Sequence, residues 1–97
     1  MRKIAKTDCN HAEITHQLQD AGFSVVTLHQ VGHGVPDLLV CGRKLPEGEY
    51  VNLLVEVKSS EKAAMTADES TFHAQWPGPV IVAVDVIDVL RYYGRVA

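Results

Sequence analysis

Cysteine is scarce in this chain. Its 97 residues include two, Cys9 and Cys41, too few for the disulfide framework of a small secreted domain. Two reduced thiols in a cytosolic protein are the simpler expectation. Long apolar runs are also missing. The longest, Val80 to Val84, falls far short of the ~20 residues that cross a bilayer. Met1 to Asp8 lacks the apolar stretch of a signal peptide. The expectation is a cytoplasmic protein with no membrane partner. Positive charge does not dominate either: Lys plus Arg number 9 against 12 Asp plus Glu, for a net charge of −3. That excludes a coat protein held to nucleic acid by general basicity. It leaves room for an enzyme that meets nucleic acid at a local site. There is no internal repeat and no low-complexity tract. Hydrophobic residues at 46% and charged residues at 22% are ordinary globular values, so neither disorder nor a coiled coil accounts for the chain. The length allows one core and one domain, residues 1–97.

Hydrophobic periodicity and turn residues divide the chain into seven elements. Asp8 or Asn10 caps a helix that runs to about Ala21 and closes at Gly22, with Ile14, Leu18 and Ala21 as its core stripe. Phe23 to Leu28 reads as a strand, and His29 to Gly34, with two glycines, as a loop. A second strand, Asp37 to Cys41, opens after Pro36. Gly42 to Glu49 reads as an exposed hairpin connection and Tyr50 to Lys58 as the third strand. Thr66 caps a helix over Ala67 to Gln75, with Glu69 as its capping-box partner, and Pro77-Gly78-Pro79 ends it. Val80 to Val84 is a buried strand, and Asp85 or Asp88 opens a last helix through about Tyr93. The order α-β-β-β-α-β-α implies an α/β fold with a mixed sheet, the middle helix serving as a parallel crossover.

The third strand carries the anomaly. In Asn52-Leu53-Leu54-Val55-Glu56-Val57-Lys58, Glu56 and Lys58 share one face of an otherwise apolar strand. Burying an acid there is costly unless it is paired, hydrogen-bonded or bound to metal. A second acid, Asp37, stands at the mouth of the neighbouring strand, about 5 Å away if the hairpin aligns them. Two converging carboxylates repel each other, and a hard divalent cation relieves the repulsion. Lys58 would then steady a water nucleophile or the charge growing on phosphorus. A half-buried ion pair of Asp37 and Lys58 with Glu56 produces the same pattern, and spacing alone leaves both readings open. The histidines do not add a zinc site: Cys9, His11, His16, His29, His33 and His73 match no paired ligand spacing.

Gly34-Val35-Pro36-Asp37, followed after 18 residues by Glu56-Val57-Lys58, resembles the PD-(D/E)xK nuclease motif. The chain is most similar in pattern to the small stand-alone VRR-NUC-type nuclease domain of phages and bacteria, related to Holliday junction resolvases. Asn10-His11-Ala12-Glu13-Ile14, Gly22-Phe23, Thr66-Ala67-Asp68-Glu69, Phe72-His73 and Trp76 extend the resemblance along nearly the whole chain. It implies a restriction-endonuclease-like core, αβββαβ with a C-terminal helix, in which helices flank a mixed four-stranded sheet. It implies that Asp37, Glu56 and the Val57 carbonyl ligate Mg²⁺ or Mn²⁺ with no organic cofactor, that Lys58 activates water, and that Glu13 completes the acidic site. Related resolvases set their helix glutamate at a register that falls on His11 instead. Many relatives carry a glutamine after the lysine, at a position matched here by Glu69 or Ser70.

The implied activity is hydrolysis of DNA phosphodiesters. The three proposed site acids account for the whole of the negative excess. Arg43 and Lys44 at the hairpin tip, Lys62 after the third strand, and Arg2, Lys3 and Lys6 ahead of the first helix are the cations available to phosphates. His33 and Gly34, just before Asp37, are the loop residues expected to touch substrate. Cutting two strands, or a four-way junction, needs two sites, which a C2 homodimer supplies. The competing reading is an adaptor or nucleic-acid-binding module that keeps the fold without turnover. The complete Asp37, Glu56, Lys58 set argues against it.

Overall fold

The computed structural model describes residues 6–96, with side chains from Asn10 onward. Arg2 and Lys3 lie outside the described residues, as does the side chain of Lys6. The elements are α1 (Lys6–Asp20), β1 (Ser24–Thr27), β2 (Leu38–Lys44), β3 (Glu49–Val57), α2 (Ala67–Gln75), β4 (Val80–Ala83) and α3 (Val86–Tyr92). No described helix is long and apolar enough to cross a membrane.

The strands form one sheet in the order β1-β2-β3-β4. The first three meander antiparallel, and β4 returns parallel to β3 after the α2 crossover. The mixed α/β sheet expected from the element order is thus present. Alternation along the strands explains the layering. Leu38 and Val40 of β2, with Leu53, Val55 and Val57 of β3, turn to one face and are fully buried there. Ile14 and Leu18 from α1, and Val89 and Tyr93 at α3, cover them. Tyr93 donates its hydroxyl to the Val51 carbonyl at 2.7 Å, fastening the end of α3 to the hairpin. The opposite face is less covered. An apolar groove of about 520 Å³ lies there between Leu39 and Leu54 of the sheet and Phe72 and Trp76 of α2.

Two expectations need correction. The first helix is already formed at Lys6, so neither Asp8 nor Asn10 caps it. Asn10 lies within the helix and bonds elsewhere. Gly42 does not begin the hairpin connection: β2 runs on to Lys44, paired through Gly42↔Val51. Glycine is tolerated inside this strand because the Phe23 ring occupies the space a Cβ would fill.

Candidate active site

The β2–β3 register places the acids. Leu38 pairs with Val55, and one step further sets Asp37 opposite Glu56. Val55 and Val57 point into the core, so Glu56 projects from the other face. It is only 3% exposed. Asp37 is partly buried, and its Oδ2 accepts the Val57 N–H at 2.8 Å. A side chain therefore replaces the ladder acceptor where β2 begins. Its own carbonyl accepts from Leu28 N at 2.6 Å, which ties down the loop behind it.

Glu56 is the unsatisfied member. Its Oε1 is buried and has no hydrogen-bond partner, and Oε2 lies 3.8 Å from Lys58 Nζ. Burial, then the charges of Asp37 and Glu69, push its pKa up to about 8 against the pull of Lys58. Lys58 has a closer partner. Its Nζ donates to Glu69 Oε1 at 2.7 Å. Burial pulls the ammonium down, yet the bond and charge of Glu69, with the charges of Glu56 and Asp37, leave it above its ordinary value. For Glu69, burial pushes the carboxyl up. The bonds from Lys58 and from the Thr66 N–H outweigh it and hold the group below the usual range. Lys58 thus pairs with both Glu69, at hydrogen-bond length, and Glu56, at 3.8 Å, and not with Asp37.

Glu69 is also the capping-box acid expected at the start of α2. The Thr66 hydroxyl accepts from Glu69 N at 3.1 Å, and Glu69 Oε1 accepts from Thr66 N at 2.9 Å. The sequence marks the cap, because Thr-x-x-Glu is a local signature. It does not reveal that the same oxygen meets a lysine 11 positions earlier. Asn10 is a second residue that sequence reasoning assigned otherwise. From α1 its Nδ2 donates to the carbonyls of Lys58 at 3.0 Å and Val84 at 2.8 Å, joining the helix to the ends of β3 and β4. His73, one turn beyond Glu69, is held below its ordinary pKa, chiefly by burial.

The other expected residues are distributed as follows. Gly34 has a φ of +79°, and a Cβ there would collide with the Asp68 carbonyl. Glycine thus lets the loop before Asp37 seat on the first turn of α2. His33 beside it is exposed, with φ of +58°. Lys62 is exposed after β3. Arg43 and Lys44 lie at the far end of the hairpin, roughly 20 Å from Asp37 by strand rise. There they cover the rings of Tyr50 and Tyr92. Glu13 is exposed on α1. His11, the alternative to it, sets its ring edge-on to His29 at 5.3 Å between centroids.

Among the described residues no group of three or more His, Cys, Asp or Glu side chains is arranged to hold a metal ion. The protein supplies two adjacent carboxylates, one with a buried and unpartnered oxygen. That donor set fits a hard cation such as Mg²⁺, which takes one or two carboxylates and retains several waters.

No family model matches the sequence, and no curated protein matches it. A solved structure described as a VRR_NUC domain aligns with a TM-score of 0.67 at 25% identity, over 91% of this chain and 94% of that one. The αβββαβα order, the mixed sheet and the extent of that alignment agree: the chain carries the fold of a VRR-NUC-type nuclease domain.

Proposed function

We propose that the protein is a divalent-metal-dependent DNA endonuclease of the PD-(D/E)xK type, with Asp37, Glu56, Val57 and Lys58 at its centre. The observation that carries this reading is Glu56, a buried carboxylate with an unpartnered oxygen beside a second acid. A purely structural acid in that position would have both oxygens satisfied, because an unsatisfied buried carboxyl oxygen is costly. Lys58 stands 3.8 Å from the other oxygen and gives its hydrogen bond to Glu69 instead.

Asp37, Glu56 and the Val57 carbonyl would hold Mg²⁺ or Mn²⁺. When bound, such a cation lowers the pKa of water and offsets charge on a phosphoryl oxygen. Lys58 keeps its ammonium at the rim of the acid pair. There it donates hydrogen bonds to the attacking water or to the phosphoryl oxygens as their charge grows. The Asp37–Val57 bond fixes the two acid-bearing strands against each other, so their spacing is set before substrate arrives. Lys62, His33 and Gly34 flank this end and would meet the DNA backbone. Glu13 would join through water. Cleavage of both strands, or of a branched junction, would use a homodimer with two such sites.

The test is cleavage of linear duplex, single-stranded, flap and four-way-junction DNA with Mg²⁺ and with Mn²⁺. Metal-dependent cutting that is lost in Lys58→Ala is the expected result. A folded, metal-loaded protein that binds these DNAs and cuts none would replace the enzyme with a binding module.

A further inference from the structure

Lys58 has two carboxylates within ion-pair reach, and one of them takes its hydrogen bond. Its Nζ is 2.7 Å from Glu69 Oε1 and 3.8 Å from Glu56 Oε2. Glu56 is the more deeply buried of the two, its side chain 4% exposed against 19% for Glu69. A charge-assisted bond is stronger where water is excluded, so burial alone would favour Glu56. The preference lies in how Glu69 is fixed. Its Oε1 accepts the Thr66 N–H while its own N–H donates to the Thr66 hydroxyl. The reciprocal cap fixes the carboxylate independently of the lysine. The first turn of α2 is itself seated, since Gly34 lies against the Asp68 carbonyl. The ammonium therefore docks on a prepared oxygen.

We infer that Glu69, held by its capping box with Thr66, is a positioning residue that keeps Lys58 from hydrogen-bonding Glu56 and so leaves the Glu56 carboxylate open to a divalent cation. The inference rests on the metal-binding reading of the site. Without Glu69, Glu56 is the carboxylate left beside the ammonium. Closing the 3.8 Å gap to hydrogen-bond length would set an internal cation in competition with the metal for the same oxygen. Thr66 acts only through Glu69.

The experiment is Mn²⁺ titration of the full chain without DNA, read as free Mn²⁺ by electron paramagnetic resonance. The proteins are wild type, Glu69→Gln, Lys58→Met and the double variant, with Glu56→Gln as the control for the site. Glu69→Gln is expected to weaken Mn²⁺ binding by about fivefold or more. In the Lys58→Met background the same substitution is expected to change it by less than about twofold, because no ammonium remains to fall on Glu56. Thr66→Ala should weaken binding in the same direction, and Thr66→Ser should restore it. Equal weakening in both backgrounds would make Glu69 a mere distant charge and overturn the inference. So would no weakening in either. Should Glu69→Gln fail to fold, the Thr66 pair decides, and loss without rescue by serine counts against it. Wild type that binds no Mn²⁺, or a Glu56→Gln variant that binds as wild type does, would overturn the metal reading itself.

Discussion

Replacing Glu56 by Gln should stabilise the metal-free protein, and by an amount that grows with pH. An ordinary glutamate carboxyl has a pKa near 4.5, and in the folded protein burial beside Asp37 and Glu69 pushes that of Glu56 up to about 8. Below the lower value both states hold the proton, and the carboxyl behaves much like the amide that replaces it. Between the two values the unfolded chain is ionised while the folded protein still binds its proton. Stability then falls by about 1.4 kcal/mol per pH unit. Above about 8 both states are ionised and the loss is complete. The full window gives a ceiling of roughly 5 kcal/mol. That is a large part of the 5–15 kcal/mol that usually holds a domain folded. Glutamine carries no proton to lose. The assay is urea unfolding of both proteins in EDTA, followed by far-UV circular dichroism in steps from about pH 5 to about pH 9. The two stabilities should nearly coincide at the acidic end and diverge toward the alkaline end. A gap that stays constant across the range would refute the reasoning, because Glu56 would then titrate alike in both states. Adding Mn²⁺ at the alkaline end should recover stability in wild type and not in the variant, as binding to the folded state requires.

Three further outcomes follow from the packing. Asn10→Ala removes the donor shared by the Lys58 and Val84 carbonyls and should cost about 1–3 kcal/mol in chemical denaturation; a loss below about 0.5 kcal/mol would mean water replaces it fully. Gly42→Ala drives a methyl into the buried Phe23 ring and should cost about 1–3 kcal/mol, read as a lowered Tm. Tyr93→Phe leaves the packing of a fully buried ring intact but strips the Val51 carbonyl of its 2.7 Å donor; a loss of about 1–2 kcal/mol is expected from the same measurement.

Much of the fold was legible because its signals are local. Thr66, Glu69 and the Pro77-Gly78-Pro79 stop bound α2 at Ala67 and Gln75 in both the sequence and the structure. The apolar run of β3 and the odd placement of Glu56 were equally plain. What escaped was set by tertiary contact. Asn10 has the chemistry of a cap, and only the neighbouring strand ends show that its amide is used across the fold. Gly42 looks like a turn residue until the Phe23 ring is seen in its place. Glu69 reads as a cap because its second partner, Lys58, comes from just past the end of β3, outside the helix. On α1 the choice between His11 and Glu13 depends on helix rotation, which spacing does not fix. The structure turns His11 toward His29 and Glu13 toward solvent.

The bond from the Val57 N–H to Asp37 Oδ2 bears on how an inert form of this protein should be made for trapping its ligand. Asp37 is a rung of the sheet as well as an acid. Substituting alanine leaves a strand N–H without its acceptor and risks loosening the very end of the sheet that ligand must recognise. Glu56 is expected to be the reverse, since its raised pKa predicts that the fold gains when its charge is removed. The two carboxylates of one site should thus leave opposite marks on stability. On the proposed reading, a knockout at Asp37 would confound lost chemistry with lost shape, whereas Glu56→Gln would remove a metal-binding carboxylate on an intact scaffold.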